Sequence, residues 1–342
     1  MRPHHRFLPT PDAASRPQRR GRLRGRLRLL WACGFSAFLT VSAMAQGAYP
    51  SKYVRVIVPF GAGSSPDVIA RFWGERFAKA AGQPVIVENR PGASTIIGAQ
   101  AVAGAAADGY TLLYTVNNTT SINPYVYKTL PYRPDDFAPV IRLLSVPYVL
   151  VVSAKSAYKT VPDLLNAARQ NPGKLNYASY GIGQGTHVAM AGFLNAAGVS
   201  MVHVPYKEGM LTDVIGGSID AMFDASTTAI PQVKGGKLRA LAVTGPGRID
   251  VLPDVPAVKE LFPGFVGDSW HGILAPKGTP KAVIARVNAV SQQIVESAEF
   301  KAKLHELGLV AAGGSAADFQ QFLSDDSKAW AKVVRDNGIK VD

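Results

Sequence analysis

The sequence predicts an α/β fold in two lobes, each a small doubly wound sheet. Three observations predict it. Apolar runs of strand length alternate with stretches of helical period along most of the chain, the pattern of strands joined by covering helices. The alternation occurs twice, in halves of similar length. No low-complexity linker separates the halves and no sequence repeat relates them, so a hinge rather than a tether is expected between them.

The elements follow in order. VRVIVPF (54–60) is a strand, and a helix over 66–81 places Val68, Phe72, Trp73, Phe77 and Ala80 on one face. Pro84 to Val87 is a short strand. A small-residue helix follows Pro91-Gly92, and Asp108-Gly109 turns the chain into YTLLYTV (110–116), which completes a βαβαβ unit with a parallel sheet. A loop-rich segment, 117–139, precedes the second half: strand VPYVLVVSA (146–154), a helix near 162–170, KLNYAS (174–179), a helix from about Thr186, MVHVPY (201–206), a helix near 208–216, and IDAMFDA (219–225). Strands LRALAVT (238–244) and GILAP (272–276) come next, and helices near 280–296 and 316–336 close the chain. The strands near 147–153 and 270–276 are the expected crossovers. The expected lobes are 46–146 for the first part of lobe 1, 147–271 for lobe 2, and 272–342 for a return to lobe 1.

At 342 residues, 47% hydrophobic and 9% aromatic, the chain can bury two ordinary cores. Its formal charge of +13 resembles a nucleic-acid or membrane signal, but the charge is concentrated at one end. Residues 1–45 hold nine arginines against the single acid Asp12, and the rest of the chain carries 28 basic and 23 acidic residues. No nucleic-acid partner is therefore expected. The basic segment RRGRLRGRLRLL leads into the apolar run LLWACGFSAFLTVSAMA and ends in Ala43-Met44-Ala45, which reads as an export signal at 1–45 cleaved near Ala45. A transmembrane anchor fits less well, because the run of 17 residues from Leu29 contains Gly34 and two serines and ends in A-x-A. Lipidation of Cys33 would need the apolar core before the cysteine, and here it follows. Cys33 is the only cysteine and leaves with the signal, so the mature chain has no disulfide and no thiolate chemistry.

One candidate site is the loop between the first strand and helix, VPFGAGSSPDVIARFW (58–73). Ligands of open α/β sheets bind beyond the carboxyl ends of strands, where helix N-termini offer unpaired N–H groups and the positive end of the dipole to an anion. Gly61, Ala62 and Gly63, next to Phe60, permit close approach to the backbone. Ser64 or Ser65 caps the helix, Pro66 suits its first turn, and Asp67 favours the dipole. The same sequence also fits a helix start that is merely well capped. A second loop, YASYGIGQGTHVAM (177–190), has the same context, with Thr186 as the expected cap and the amides from Gly183 to His187 pointing out of the helix. Its G-x-G-x-G is not a dinucleotide fingerprint, and Ser179 lacks the first glycine of a nucleophile elbow.

Four histidines remain in the mature chain, His187, His203, His271 and His305, with no HExxH pair, P-loop or close carboxylate pair. His203 reads as a core residue, His305 as surface, and His187 as a polar contact at a helix start. No metal or cofactor is expected.

The chain resembles the Bug family of periplasmic solute-binding proteins, related to the binding component of tripartite tricarboxylate transporters. VENRPGA (87–93), DGYTLLY (108–114), INPYVYKTLPYRPDDFAPV (122–140), VPYKEG (204–209), IGGSIDAMFD (215–224) and GKLRALAVTG (236–245) carry the likeness by their order and spacing. The resemblance implies a periplasmic binding protein-like fold with a ligand cleft between the lobes and no catalysis. It also implies that the first loop and a loop of the second lobe grip a carboxylate through backbone amides and two ordered waters. By position these are Phe60 to Asp67 and Tyr206, Lys207 and Glu208, with Ser179 to His187 near the far end of the ligand and Asp224 counted with the site. The implied ligand is a small carboxylate: a dicarboxylate, tricarboxylate, amino acid or aromatic acid. The implied partner is a membrane permease or a sensor protein, with the receptor itself monomeric. The chain departs from the family pattern at Ser64, which follows a single Gly63, at Ser94-Thr95 after Pro91-Gly92-Ala93, and at Glu208 to Asp213. Glu208 facing the cleft would repel a second carboxylate and favour an ammonium group, and otherwise it is a solvated residue at a helix start. The alternative function is a secreted α/β hydrolase using Ser179 or His187.

Overall fold

The computed structural model describes residues 49–206, 209–265 and 267–341. The first sheet has strand order β11-β4-β10-β3-β1-β2 and the second β7-β6-β8-β5-β9. In chain order the strands are β1 Val54–Val58, β2 Val85–Asn89, β3 Thr111–Val116, β4 Phe137–Val146, β5 Tyr148–Ser153, β6 Asn176–Ser179, β7 Val202–Pro205, β8 Ala221–Ala225, β9 Leu238–Val243, β10 Ser269–Pro276 and β11 Val310–Ala311. The principal helices are α1 Ser65–Ala81, α2 Ile96–Ala103, α3 Asn123–Val126, α4 Val161–Gln170, α5 Gly185–Ala197, α6 Met210–Gly216 and α7 Ser226–Lys234. The short α8 Val258–Leu261 precedes α9 Lys281–Glu296, α10 Ala298–Glu306 and α11 Ala316–Asp336.

The βαβαβ units form as expected, with β1 parallel to β2 and β3 and β6 parallel to β7 and β8. The sheets are nonetheless mixed rather than purely parallel. β10 runs antiparallel to both β3 and β4, and β5 runs antiparallel to β8 and β9. A parallel neighbour requires a crossover of a dozen or more residues. Here β4 passes to β5 through Pro147 alone, so the chain changes sheets without one.

Two expectations are corrected. The supposed loop-rich segment 117–139 contains a π-helical turn at Asn118–Ile122, the short α3, and the start of the ten-residue β4. β4 escaped recognition because FAPVIRLLSV buries most positions on both faces and so shows no alternation. In α1, the buried stripe is Pro66, Ile69, Ala70, Trp73, Gly74 and Phe77. Val68, expected on that face, is exposed because it lies about 100° around the helix from Ile69, and Ala80, though in line with Trp73, is exposed because it lies beyond Phe77, the last buried residue of the stripe. The ends of α1 are local: Ser64 accepts from the Asp67 N–H, and Gly82 closes the helix in the left-handed region.

α11 belongs to both cores. Phe319 and Leu323 pack with Trp270 and Leu113 against the first sheet, whereas Trp330, Val334 and Ile339 pack with Leu150, Phe193 and Phe223 of the second. Between them the Asp326 carboxylate accepts the Trp270 indole N–H at 2.8 Å and the Trp330 indole N–H at 3.1 Å. Burial pushes the Asp326 carboxyl up to about 6. A lobe boundary drawn at residue 272 thus assigns to lobe 1 a helix whose last turns complete the core of lobe 2.

Candidate functional site

The two loops singled out in the sequence have like backbones from their second glycine onward, while the first glycines differ: Gly181 is at φ +121° and Gly61 is not at positive φ. Gly61-Ala62-Gly63-Ser64-Ser65-Pro66-Asp67-Val68 and Gly181-Ile182-Gly183-Gln184-Gly185-Thr186-His187-Val188 share the pattern G-x-G-x-x-x-(D/H)-V, each behind an aromatic residue, Phe60 or Tyr180. Gly63 and Gly183 sit at φ +78° and +75°, a region open to glycine without steric cost. The Ser64 and Gln184 amides donate to the Gly61 and Gly181 carbonyls, both at 3.2 Å, and the Val68 and Val188 amides donate to Ser64 and Gln184 at 2.9 and 3.0 Å. Ser64 and Gln184 are the N-cap residues, in the same extended conformation. Thr186 is therefore not the cap; its hydroxyl accepts the Tyr180 N–H at 3.4 Å.

Each loop is also closed from inside by a side chain four residues on. The Gly63 N–H donates to Asp67 at 2.9 Å and the Gly183 N–H to His187 Nδ1 at 3.1 Å. Asp67 is buried, and its carboxylate further accepts from Asn89 at 2.8 Å and pairs with Arg71 at 3.0 Å. Burial raises the Asp67 pKa, but the bonds from Arg71, Gly63 and Asn89 outweigh it and hold the carboxyl below its usual range. Asn89 also donates to the Phe60 carbonyl at 3.0 Å, so the far end of β2 staples the first loop.

His187 has a different environment. Its ring lies parallel to His203, with centroids 3.9 Å apart, and Tyr177 continues the stack. Burial, reinforced by His203 alongside, lowers His187 to about 3, and burial lowers His203 to about 4. Both rings are neutral at neutral pH. His203 Nε2 pairs with the Ser179 hydroxyl at 2.6 Å.

Between the sheets lies a cleft of about 400 Å³. Lobe 1 contributes Phe60, Ser64, Ser65 and Asn118; lobe 2 contributes Tyr180, Gln184, Gly185, Thr186, Thr227 and Thr228. Its floor is formed where the sheets meet, by Val116, Val146, Tyr148, Ser269 and His271. None of the described residues lining the cleft is an acid, lysine or arginine, and His271, lowered to about 3 by burial, is neutral there. His271 Nδ1 pairs with the Tyr114 hydroxyl at 2.9 Å. Among the described residues, the Ser65 and Thr227 hydroxyls and the Asn117 side-chain NH₂ group are buried without a hydrogen-bond partner.

Of the expected site residues, Phe60, Ser64, Ser65 and Thr186 line this cleft. Gly61, Ala62 and Gly63 are exposed at the loop tip. Asp67, Gly183 and His187 lie within or behind the loops and shape them. Ser179 is fully buried under the second loop, and Asp224 is fully buried behind Tyr180, where it accepts the Tyr180 hydroxyl at 2.6 Å and the Thr228 hydroxyl at 2.7 Å. Burial raises the Asp224 carboxyl. Tyr206 turns its hydroxyl to Asp213, away from the cleft lining. Lys207 and Glu208 lie outside the described residues, as does the expected signal at 1–45. His305 is exposed, 3.8 Å from Asp250. The hydrolase alternative has the wrong geometry: Ser179 is fully buried and paired with His203, neither residue lines the cleft, and His187 is committed to Gly183.

Tyr180, Gln184 and Gly185 fall inside the span Ser179 to His187 that the sequence placed near the ligand, without being singled out; Asn118, Tyr148, Thr227, Thr228, Ser269 and His271 were missed. Asn118 also explains one departure from the family pattern. Ala93, Ser94 and Thr95 all adopt positive φ, a strained run for residues with a Cβ. Asn123 donates to the Ser94 carbonyl at 2.6 Å, Thr95 pairs with Thr119 at 2.8 Å, and Asn118 donates to the Ser94 hydroxyl at 3.1 Å and to the Gly183 carbonyl at 3.3 Å. Side-chain bonds thus stand where glycine would otherwise be needed, and they tie this turn to the second loop.

A pH test follows from His271. Its folded pKa is depressed to about 3, against roughly 6.5 unfolded, so between those values the unfolded chain binds one more proton and stability falls on acidification. Asp326, raised to about 6, acts in the opposite sense between about 6 and 4, so the contribution has to be isolated by difference. Urea denaturation near pH 5 should show about one proton fewer taken up on unfolding by His271→Phe than by the wild type. Equal uptake would mean that His271 is charged in the folded protein.

The family described as "Tripartite tricarboxylate transporter family receptor" is matched over residues 69–339. BugT of Bordetella pertussis is 31% identical over 321 residues, covering 92% of this chain and 98% of BugT. The solved structure of Rpa4515 from R. palustris with adipate has a TM-score of 0.80 at 33% identity, covering 85% of this chain and 99% of that one. MatC from Rhodopseudomonas palustris with bound malate has a TM-score of 0.76 at 29% identity, covering 84% of this chain and 100% of that one. The family match over most of the chain, the relative covered nearly end to end and the shared two-lobed fold show that the chain belongs to the tripartite tricarboxylate transporter family receptors, the Bug family of solute-binding proteins.

Proposed function

We propose that this receptor works in the periplasm, where it captures a small carboxylate by closing two lobes on it. The observation that carries the reading is the pair of like-built loops, one from each sheet, each ending in a helix N-terminus at a cleft with no acid, lysine or arginine among its described lining residues. Unpaired amides at helix starts stabilise an anion without a cationic side chain. A volume of about 400 Å³ suits a small metabolite. A ligand bridging both loops binds the closed state better than the open one and so shifts the equilibrium, which a ligand touching one lobe cannot do. Adipate and malate, held by Rpa4515 and MatC, are both aliphatic dicarboxylates, the class to test first.

The hinge in this reading lies in the crossover strands near 147–153 and 270–276, with lobe 1 (46–146 and 272–342) and lobe 2 (147–271) moving about it. The segment 1–45 is an export signal removed near Ala45, and the mature monomer hands its ligand to a membrane permease or a sensor protein. Denaturing purified mature protein and analysing the released small molecules by mass spectrometry tests the receptor role, followed by calorimetry with malate, adipate, citrate, glutamate and benzoate. One stoichiometric carboxylate, with a decrease in radius of gyration when it is restored to the emptied protein, is the expected result. Absence of binding by any carboxylate would overturn the reading.

A further inference from the structure

The two loops are closely alike around their second glycine, and one of the differences between them concerns charge. In the first, the acceptor that closes the loop is a carboxylate, Asp67, at the third residue of α1. In the second it is an imidazole, His187, at the third residue of α5, and α5 has no acidic residue in its first turn. The mechanical task is the same: each takes the N–H of a glycine at positive φ and so holds the turn that presents the helix start to the cleft. The electrostatic result is different. Asp67 places a negative charge at the positive end of the α1 dipole, with Arg71 paired to it. A ring that is neutral leaves the positive end of the α5 dipole uncompensated.

A second, independent feature points to the same spot. Asn117, at the end of β3, is fully buried; its carbonyl oxygen accepts the Ser269 hydroxyl at 2.8 Å, and its NH₂ group has no partner among the described residues. That group lies 3.6 Å from where a Cβ on Gly185, the first residue of α5, would be. Exchanging the amide's oxygen and nitrogen would still leave one polar atom without a partner. A buried polar group in this state needs a ligand or water, and at a positive helix end an N–H donor is suited to a carboxylate oxygen.

We infer that His187 is a positioning residue for ligand capture: it holds the second loop through the Gly183 N–H, and as an imidazole rather than a carboxylate it keeps the α5 N-terminus, with the Asn117 amide beside it, as the seat of the ligand's carboxylate. This deepens the receptor reading and rests on it for the ligand class. It assigns the two lobes unequal roles. Lobe 2 holds the charge, and lobe 1, whose helix end is already occupied by Asp67, closes over the ligand.

Three variants separate the mechanical part from the electrostatic part. His187→Asn offers a neutral acceptor, His187→Asp a charged one, and His187→Ala none. Two quantities are read for each: hydrogen exchange at the Gly183 amide, and calorimetric affinity for malate, adipate, citrate, glutamate and benzoate. His187→Asp is expected to keep Gly183 protected yet lose about tenfold or more in affinity for whichever of the five the wild type binds most tightly, the scale of a charge set against a partly buried helix end. His187→Asn is expected to keep both protection and affinity within about threefold, and His187→Ala to lose protection at Gly183. Wild-type affinity in a folded His187→Asp protein, or unchanged Gly183 exchange in His187→Ala, overturns the inference. If His187→Asp does not fold, loss of affinity in His187→Asn with Gly183 still protected overturns it equally. If the wild type binds none of the five, the carboxylate reading fails, and the Gly183 exchange series still decides whether His187 holds the loop.

Discussion

Replacing Trp330 by alanine is expected to destabilise the protein by about 3 to 5 kcal/mol, the range for a fully buried tryptophan whose site cannot collapse. The side chain is 0% exposed and packs into the core of the second sheet from a helix whose first half packs on the first. Truncation opens a cavity and removes one of the two indole donors that satisfy the buried Asp326 carboxyl. Losing a partner from a buried acceptor adds to the cavity term. Because α11 joins both cores, the loss should appear in the unfolding of the whole structure rather than of one lobe. Urea denaturation followed by tryptophan fluorescence and by far-UV circular dichroism measures it. Trp330→Phe should recover most of the packing but not the Asp326 bond. A loss below about 1 kcal/mol in Trp330→Ala would mean that the two cores are not coupled through this helix.

Gly185→Ala is expected to reduce carboxylate affinity at least tenfold and to cost about 1 to 3 kcal/mol in stability, as overpacking of a well-filled site does. A Cβ there would collide with the Tyr148 hydroxyl and come into contact with the Asn117 amide. Tyr148 is buried on β5 and cannot swing into solvent, so the start of α5 must shift away from the cleft floor. Gly61→Ala is the matched control from the other loop. Nothing lies within 4 Å of a Cβ built on Gly61, and its φ is not positive. Alanine there should leave stability unchanged or raise it by up to about 1 kcal/mol. Calorimetry with the carboxylate released from the wild type, together with denaturation of both variants, reads the contrast. Equal behaviour of the two variants would remove the α5 start from the site.

The sequence by itself determined the local features: the first helix start after its cap Ser64, the strands of the βαβαβ units, and the second helix start to within a residue, at Gly185 behind Gln184 where Thr186 was the expected cap. Each loop is closed by hydrogen bonds spanning three or four residues, Ser64 to Gly61, Gly63 to Asp67 and their counterparts from Gly181 to His187. Bonds of that span depend on a short stretch of chain and are therefore written in it.

Only the tertiary structure decided which side of those loops faces a ligand. Asp67, Ser179, His187 and Asp224 are polar residues at the ends of strands or starts of helices, and in the sequence they look no different from Ser65 or Thr186. Burial settled the matter, because each found an internal partner: Arg71 and Asn89, His203, Gly183, and Tyr180 with Thr228. The cleft floor was likewise invisible. Val116, Tyr148, Ser269 and His271 come from the ends of three strands far apart in the chain, β3, β5 and β10, and meet only because β10 returns antiparallel beside β3 while β5 leaves for the other sheet. A contact between residues more than a hundred positions apart, such as Asn117 with Ser269, has no local signature, since its energy comes from packing that exists only once both sheets have formed.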